Sequence, residues 1–252
     1  TLYRFTLNLS FEKKNCLKGF FNSKFKMILL LQPKKVIIDY MHEIKKIIDE
    51  IIKYLEENIR TTEEKFVVNS IKKCVLDKKI LNKIIPNSPP KHKSLLKGLL
   101  SISSKKIIPL KNSILEGYAK LYWKTDDGEY YEQNSNIGRN YLNGNMNAEL
   151  IGPNDGFFKS DELKLGIFLL EQNIFYKDHK HAAPELYLNL TNGIKWRIGG
   201  GKWIEKKSGS IIYNSPYNPH GMKVGKIPLI SIWCWPYNLD QKCIVINKKL
   251  LN

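Results

Sequence analysis

The spacing of apolar residues changes part-way along the chain, and this change limits the folds that the sequence can adopt. From residue 34 to residue 59 apolar side chains recur with the period of an amphipathic α-helix. Beyond Gly152 apolar residues alternate with polar ones in short runs bounded by glycine, proline and asparagine, which indicates β-strands. We therefore expect an α+β protein in which helices come first and an all-β unit follows.

Three further helices are predicted before the change of period. Thr61 and Glu64 have the spacing of a capping box, so the second helix should begin there and continue to about residue 81. A run of prolines then interrupts the chain, and shorter helices are predicted at 91–101 and 113–123. The stripe of isoleucines on the first helix indicates packing into a core rather than a binding face.

The second part of the chain should form a jelly-roll or barrel, because many short strands follow one another between turn residues. The predicted strands are 165–175, 185–191, 195–198, 210–213, 221–224, 229–235 and 244–246. Gly199, Gly200 and Gly201 precede Lys202, but Trp203 follows and strands flank the run, so a turn is favoured over a phosphate-binding loop.

These segments predict three parts. Residues 1–33 form a basic N-terminal segment, either disordered or a targeting sequence, residues 34–124 a helical domain and residues 125–252 a β-barrel domain. An asparagine- and glycine-rich stretch, 134–147, lies near the predicted boundary between the two domains.

The net charge of +17 does not by itself indicate nucleic-acid binding. Only four of the 41 basic residues are arginine, whereas base and phosphate recognition favours the arginine fork. The lysines are scattered rather than gathered in one stripe. We expect no nucleic-acid partner.

The cysteine pattern and the apolar runs predict a cytoplasmic protein. The four cysteines show no CxxC spacing, which fits a reducing compartment better than a disulfide framework or a zinc knuckle. The apolar run 27–31 is too short to cross a bilayer, so no membrane partner is expected.

A cluster of histidines is the candidate for the chemistry of this chain. Two of the five histidines form the pair His179-x-His181, and Glu185 and Tyr187 follow. If Pro184 does not shift the register, all four side chains point to one face of a strand. With His220 from a neighbouring strand, the nitrogens and the carboxylate would suit one divalent transition metal: Fe, Mn, Ni, Co or Zn.

The same residues resemble those of a known family. His179-x-His181-x3-Glu185 with a later histidine is similar to the metal-binding motifs of the cupin superfamily, whose fold is a double-stranded β-helix or jelly-roll barrel. A narrower match covers about residues 152–235. Its motif Tyr176-x-x-His179-x-His181-x3-Glu185-x-Tyr187, then His220-Gly221-Met222 and 228–235, resembles the cupin-type dimethylsulfoniopropionate (DMSP) lyases.

The resemblance implies a carbon–sulfur lyase that splits DMSP into dimethyl sulfide and acrylate by metal-assisted β-elimination. It implies four metal ligands: His179, His181, Glu185 and His220. It implies that Tyr187 is the base and that Tyr176 and Trp235 line the substrate pocket, and Trp233 shares a strand face with Trp235. The expected partner is a small zwitterionic substrate. A homodimer is the oligomeric state that we consider.

Two other classes of function stay open from the sequence. The first is another metallocupin enzyme of the dioxygenase type, whose iron needs open positions beside histidine and carboxylate ligands. The second is a non-catalytic cupin that binds a small ligand. Oxygen uptake during turnover would favour the first, and indifference to chelators would favour the second.

Overall fold

The computed structural model describes residues 33–74 and 85–246. The predicted N-terminal segment 1–33 therefore lies almost wholly outside the described residues, and the divisions at residues 33 and 124 stay predictions. The described residues from 43 onward form one compact unit, which holds all the elements that follow the first helix.

Five α-helices are described: α1 Pro33–Asn58, α2 Thr62–Lys73, α3 His92–Leu100, α4 Ile108–Gly117 and α5 Arg139–Gly144. Thr61 accepts a hydrogen bond from the Glu64 backbone and the Glu64 side chain accepts one in return, which confirms the capping box. The helix α2 ends at Lys73, since Cys74 is extended, and the predicted continuation to residue 81 lies outside the described residues. The helix α4 begins five residues before the predicted start, because Pro109 suits a first helical turn, where no backbone N–H is needed.

Eleven β-strands are described: β1 Asn145–Gly152, β2 Phe158–Lys159, β3 Lys164–Leu170, β4 Phe175–Lys180, β5 Glu185–Asn189, β6 Ile194–Ile198, β7 Ile204–Lys206, β8 Ile211–Asn214, β9 His220–Val224, β10 Leu229–Trp235 and β11 Ile244–Val245. One sheet has the order β2-β1-β3-β10-β5-β8 and the other β11-β4-β9-β6-β7. Inward side chains of both sheets form one core, in which the rings of Tyr187 and Trp196 are 5.0 Å apart between centroids.

One strand prediction was wrong, and the strands β1, β2 and β7 were not predicted. The predicted strand 165–175 is two strands in different sheets, because Asn173 turns the chain with a φ of 62°. The strand β1 was missed, since its asparagines suggested a loop. Every residue of β1 is buried, and the Asn145 amide donates to the carbonyls of Asp126 and Tyr141. The three-glycine run is a turn between β6 and β7, as predicted.

The helix α3 and the C-terminal part of α1 pack against the six-stranded sheet, whereas α5 lies beside β4 of the other sheet. Gly98 of α3 packs directly on Ile230 of β10, and the Tyr54 hydroxyl donates a 2.8 Å hydrogen bond to the Gly209 carbonyl. Because side chains alternate along β10, Trp233 and Trp235 project to the opposite face from Ile230. The inner face therefore stays free to form a pocket. No helix in the described ranges has the length and apolar character of a membrane span.

Candidate active site

The four predicted ligands come from three strands and the turn between two of them. His179 of β4 pairs in register with His220 of β9, so those two imidazoles are neighbours in the five-stranded sheet. His181 follows β4, and Glu185 begins β5 in the other sheet. The residues between them turn the chain from one sheet to the other, so the predicted single strand face does not exist. The turn nevertheless brings His181 and Glu185 together.

The four side chains are buried and close enough to share one ion. One ring nitrogen from each of His179, His181 and His220 lies within 4.8 Å of the others. The Glu185 Oε2 atom is 3.2 Å from Nε2 of His181 and 3.2 Å from Nε2 of His220. All four residues are at most 3% exposed.

Backbone carbonyls fix the orientation of all three imidazoles. Nδ1 of His179 is 3.0 Å from the Lys177 carbonyl, Nδ1 of His181 is 2.8 Å from that of Ala183, and Nδ1 of His220 is 2.9 Å from that of Asn218. A carbonyl can only accept, so each Nδ1 carries the proton and donates it. This leaves each Nε2 as the nitrogen for a ligand, which is the arrangement that metal-bound histidines show.

Burial favours a neutral imidazole at His179, beside the carboxylate of Glu185. Burial, together with the neighbouring His220 and His181, lowers the pKa of His179 well below its usual range. Burial acts to raise the pKa of Glu185, but hydrogen bonds and positive charge from His181 and His220 outweigh burial and hold that pKa below its usual range. A cation bound by the Nε2 atoms would take the place of the protons that those two imidazoles otherwise direct at the carboxylate.

This donor set fits a divalent transition metal. Nε2 of His220 is buried and has no hydrogen-bond partner among the described residues, since Glu185 is near it but poorly aligned for a hydrogen bond. A buried nitrogen without a partner costs free energy, and a cation between the imidazoles and the carboxylate would satisfy it. Three imidazoles and one carboxylate do not select among Fe, Mn, Ni, Co and Zn by residue type alone.

A pocket opens beside this cluster, between the two sheets. Its walls include all four residues that were predicted around the metal: Tyr176, Tyr187, Trp233 and Trp235. The rings of His181 and Trp235 are 4.6 Å apart between centroids, so the indole lies against a ligand imidazole. The structure thus places the predicted base and the predicted aromatic wall in one pocket with three of the candidate ligands, His179, His181 and Glu185.

The ring of Tyr176 is held between two other rings. It stacks on His179 at 4.2 Å and on Tyr141 at 4.3 Å between centroids. Its hydroxyl is 2.6 Å from that of Tyr131, and the Tyr141 hydroxyl donates to Asp126 at 2.9 Å. Burial raises the pKa values of the three hydroxyls, those of Tyr131, Tyr141 and Tyr176, well above the usual range of tyrosine. The three side chains therefore stay neutral.

Several residues of the pocket wall were missed by the sequence analysis: Asp126, Tyr130, Tyr131, Tyr141, Asn147, Lys164, Phe168 and Cys243. Five of the eight belong to the stretch 126–147, which was interpreted as a domain boundary. No local pattern marks them, because they reach the pocket through long-range packing. The number of tyrosines in that stretch was the one available signal.

A comparison with protein families identifies the chain. The dimethylsulfoniopropionate lyase family matches residues 94–231, which is more than half of the sequence. The chain belongs to the dimethylsulfoniopropionate lyase family. It is therefore a lyase, as predicted, and the matched region includes the four candidate ligands, Tyr176 and Tyr187.

Solved structures agree with the predicted fold. DddQ of Ruegeria pomeroyi, a DMSP lyase, has a TM-score of 0.64 at 16% identity, over 81% of this chain and 95% of that one. A chain from the crystal structures of the DMSP lyases RdDddP and RnDddQII has a TM-score of 0.63 at 16% identity, over 82% of this chain and all of that one. Curated protein sequences gave no match.

The cupin-type fold with preceding helices is thus confirmed. The roles of the individual site residues stay predictions.

Proposed function

We propose that the protein cleaves dimethylsulfoniopropionate to dimethyl sulfide and acrylate by metal-assisted β-elimination. The observation that carries this proposal is the buried cluster of three oriented histidines and Glu185, which opens into a pocket lined by Tyr187. Membership of the lyase family supports the same reaction. His179, His181, Glu185 and His220 would hold one divalent ion, as the donor set indicates.

The ion would supply positive charge that stabilises the carboxylate end of the substrate as its neighbouring C–H bond breaks. Tyr187 would take that proton on its phenolate oxygen. The electron pair of the C–H bond forms the carbon–carbon double bond, and the pair of the C–S bond leaves with sulfur. Dimethyl sulfide departs neutral, acrylate keeps the carboxylate, and Tyr187 returns its proton to solvent.

Tyr187 needs nearby positive charge to act as this base. Burial raises the pKa of its hydroxyl well above the usual value, and the Glu185 carboxylate raises it further. A phenol in that state does not ionise at neutral pH. A divalent cation held by the neighbouring ligands favours the phenolate, so the base and the metal site depend on each other.

The aromatic wall of the pocket suits the sulfonium end of the substrate. Aromatic faces attract cations by about 0.5–2 kcal/mol, depending on how far water is excluded. Trp233 and Trp235 lie 5.9 Å apart between centroids, and Tyr176 faces the same pocket. We propose that the two indoles bind the sulfonium and that Tyr176, whose faces are covered by His179 and Tyr141, completes the wall with its edge.

The test is release of dimethyl sulfide into the headspace above the purified protein supplied with DMSP. We expect release that a chelator stops and that added Fe, Mn, Ni, Co or Zn restores. If no release occurs with any of these metals, the substrate assignment is wrong. Oxygen consumption in place of elimination would instead indicate the dioxygenase class.

We also infer a cytoplasmic location, without a nucleic-acid or membrane partner. The described Cys234 and Cys243 are buried thiols outside any disulfide, as is usual in a reducing compartment. The homodimer stays a prediction.

A further inference from the structure

One basic side chain stands out in the wall of the pocket. Lys164 of β3 is the only lysine or arginine among the described residues that line it. Its ammonium group donates a 3.2 Å hydrogen bond to the Leu239 carbonyl and lies 5.8 Å from the ring centres of Tyr130 and Trp235. No carboxylate of the described residues lies within ion-pair distance of it, and Glu149 interacts with it at longer range. Part of its hydrogen-bonding capacity is thus unused.

A second donor without a partner belongs to the residue opposite. Trp235 of β10 pairs in register with Lys164, so the two side chains are direct cross-strand neighbours. The indole is 8% exposed, and its Nε1–H is buried without a hydrogen-bond acceptor among the described residues. Buried donors are normally satisfied, so this N–H indicates a ligand that accepts.

These two residues also lie where the pocket meets a second cavity. Lys164, Trp235 and Tyr130 line both spaces, and the second cavity has a largely polar wall that includes Glu149, Asp155 and Asp240. Acidic groups in that wall disfavour a resting place for an anion there, whereas an ammonium and an N–H at the junction favour one.

We propose that Lys164 and the indole N–H of Trp235 form a carboxylate-binding subsite at this junction. The subsite accepts the carboxylate of the substrate as it enters and that of acrylate as it leaves, before and after the chemistry at the histidine cluster. The identity of these two ligands rests on the function proposed above. Recognition of a small monocarboxylate by the two donors is independent of that function.

The test measures binding of propionate to the full chain after treatment with a chelator, by ligand-observed NMR. Propionate has the size and charge of acrylate but is not a reaction partner, and removal of metal prevents binding to a metal ion. Propionamide is the neutral ligand of the same shape. We expect propionate to bind at least about tenfold more tightly than propionamide, since a charged hydrogen bond contributes at this level.

Variants locate the binding. Lys164→Met should raise the Kd of propionate at least about tenfold, Lys164→Arg should restore most of the affinity, and Trp235→Phe should weaken it several-fold while keeping a ring. Lys223→Met is the matched control, because Lys223 also lies over a ring, that of Trp203, but is exposed and outside the described pocket wall. Its Kd should not change.

Equal binding of propionate to wild type and Lys164→Met would overturn the subsite, as would equal binding of propionamide or no binding of propionate at all. Because no turnover is involved, the result does not depend on the lyase assay. If DMSP is cleaved, Lys164→Met should also raise KM with little change in kcat, since the subsite acts before and after the bond-breaking step.

Discussion

At the scale of single residues, the hydroxyl of Tyr187 shows how burial and chemistry are linked. Its surroundings oppose ionisation, so a phenolate there depends on nearby positive charge. Tyr187→Phe should therefore leave metal content and fold unchanged and lower kcat by about 10²–10⁴-fold, the usual contribution of a general base. Metal analysis and headspace dimethyl sulfide on the same samples would check both parts.

Tyr213→Phe is the matched control for this substitution. Tyr213 lies on β8, beside Leu186 rather than Tyr187, and so faces away from the pocket. Its removal should leave kcat unchanged. Equal activity of wild type and Tyr187→Phe would show that another group takes the proton.

Glu149 provides a second prediction at the residue scale. Burial raises its pKa from 4.5 to about 7, against the opposing effect of Lys164. The folded state therefore binds this proton more tightly than the unfolded state, and the stability it contributes is lost as pH rises through about 7. We therefore compare the unfolding free energies of the wild type and Glu149→Gln at each pH. The wild-type value should fall by about 3 kcal/mol relative to that of the variant between about pH 4 and pH 8.

Urea unfolding at several pH values would measure this difference. Glu162→Gln serves as the control, because Glu162 is exposed in the turn before β3. A parallel course of the wild-type and Glu149→Gln curves would contradict the raised pKa.

At the scale of elements, the contact between α3 and β10 sets the position of the helices on the barrel. A Cβ atom on Gly98 would lie 2.7 Å from Ile230 Cγ1, too close without a shift of the strand or the helix. Gly98→Leu should therefore destabilise the protein by about 1–3 kcal/mol, as overpacking of a core usually does. Thermal unfolding would measure the loss.

Lys93→Leu introduces the same side chain on the exposed side of α3. It should change the free energy of unfolding by no more than about 0.5 kcal/mol. Similar losses in both variants would mean that the leucine itself, rather than the contact with Ile230, is the cause.

At the scale of the whole molecule, the site joins the two sheets. His179 and His220 belong to one sheet and Glu185 to the other, so an ion bound by all of them would link both halves of the barrel. Binding at a hundredfold excess over Kd would stabilise the folded state by about 2.7 kcal/mol, which raises Tm by about 5–10 °C in a domain of this size. Calorimetry of the chelator-treated protein with and without metal would show the increase.

His220→Ala should remove this increase, and His92→Ala should keep it, because His92 is exposed beside Tyr118. An increase in Tm that survives His220→Ala would place the metal elsewhere. The unliganded variants provide their own baseline, so a loss of stability from the substitution itself is separated from a loss of metal binding.

The sequence by itself determined the types of most elements and the chemical identity of the ligands. Some features depend only on neighbours along the chain, so a local pattern predicts them. They are the apolar periods of 3.6 residues in helices and two in strands, the capping box of Thr61 and the strand 229–235. The histidine pair with Glu185 and Tyr187 was visible for the same reason. Helix ends and the break at Asn173 were less well predicted, because single turn residues decide them.

Only the tertiary structure decided how these residues meet. The register of β4 with β9 places His220 beside His179, and the turn before Glu185 moves the carboxylate to the opposite sheet. The wall that includes Tyr131 and Lys164 likewise forms when distant segments pack. Such pairings follow from burial and hydrogen bonding summed over the whole barrel, and no short window of sequence contains that information.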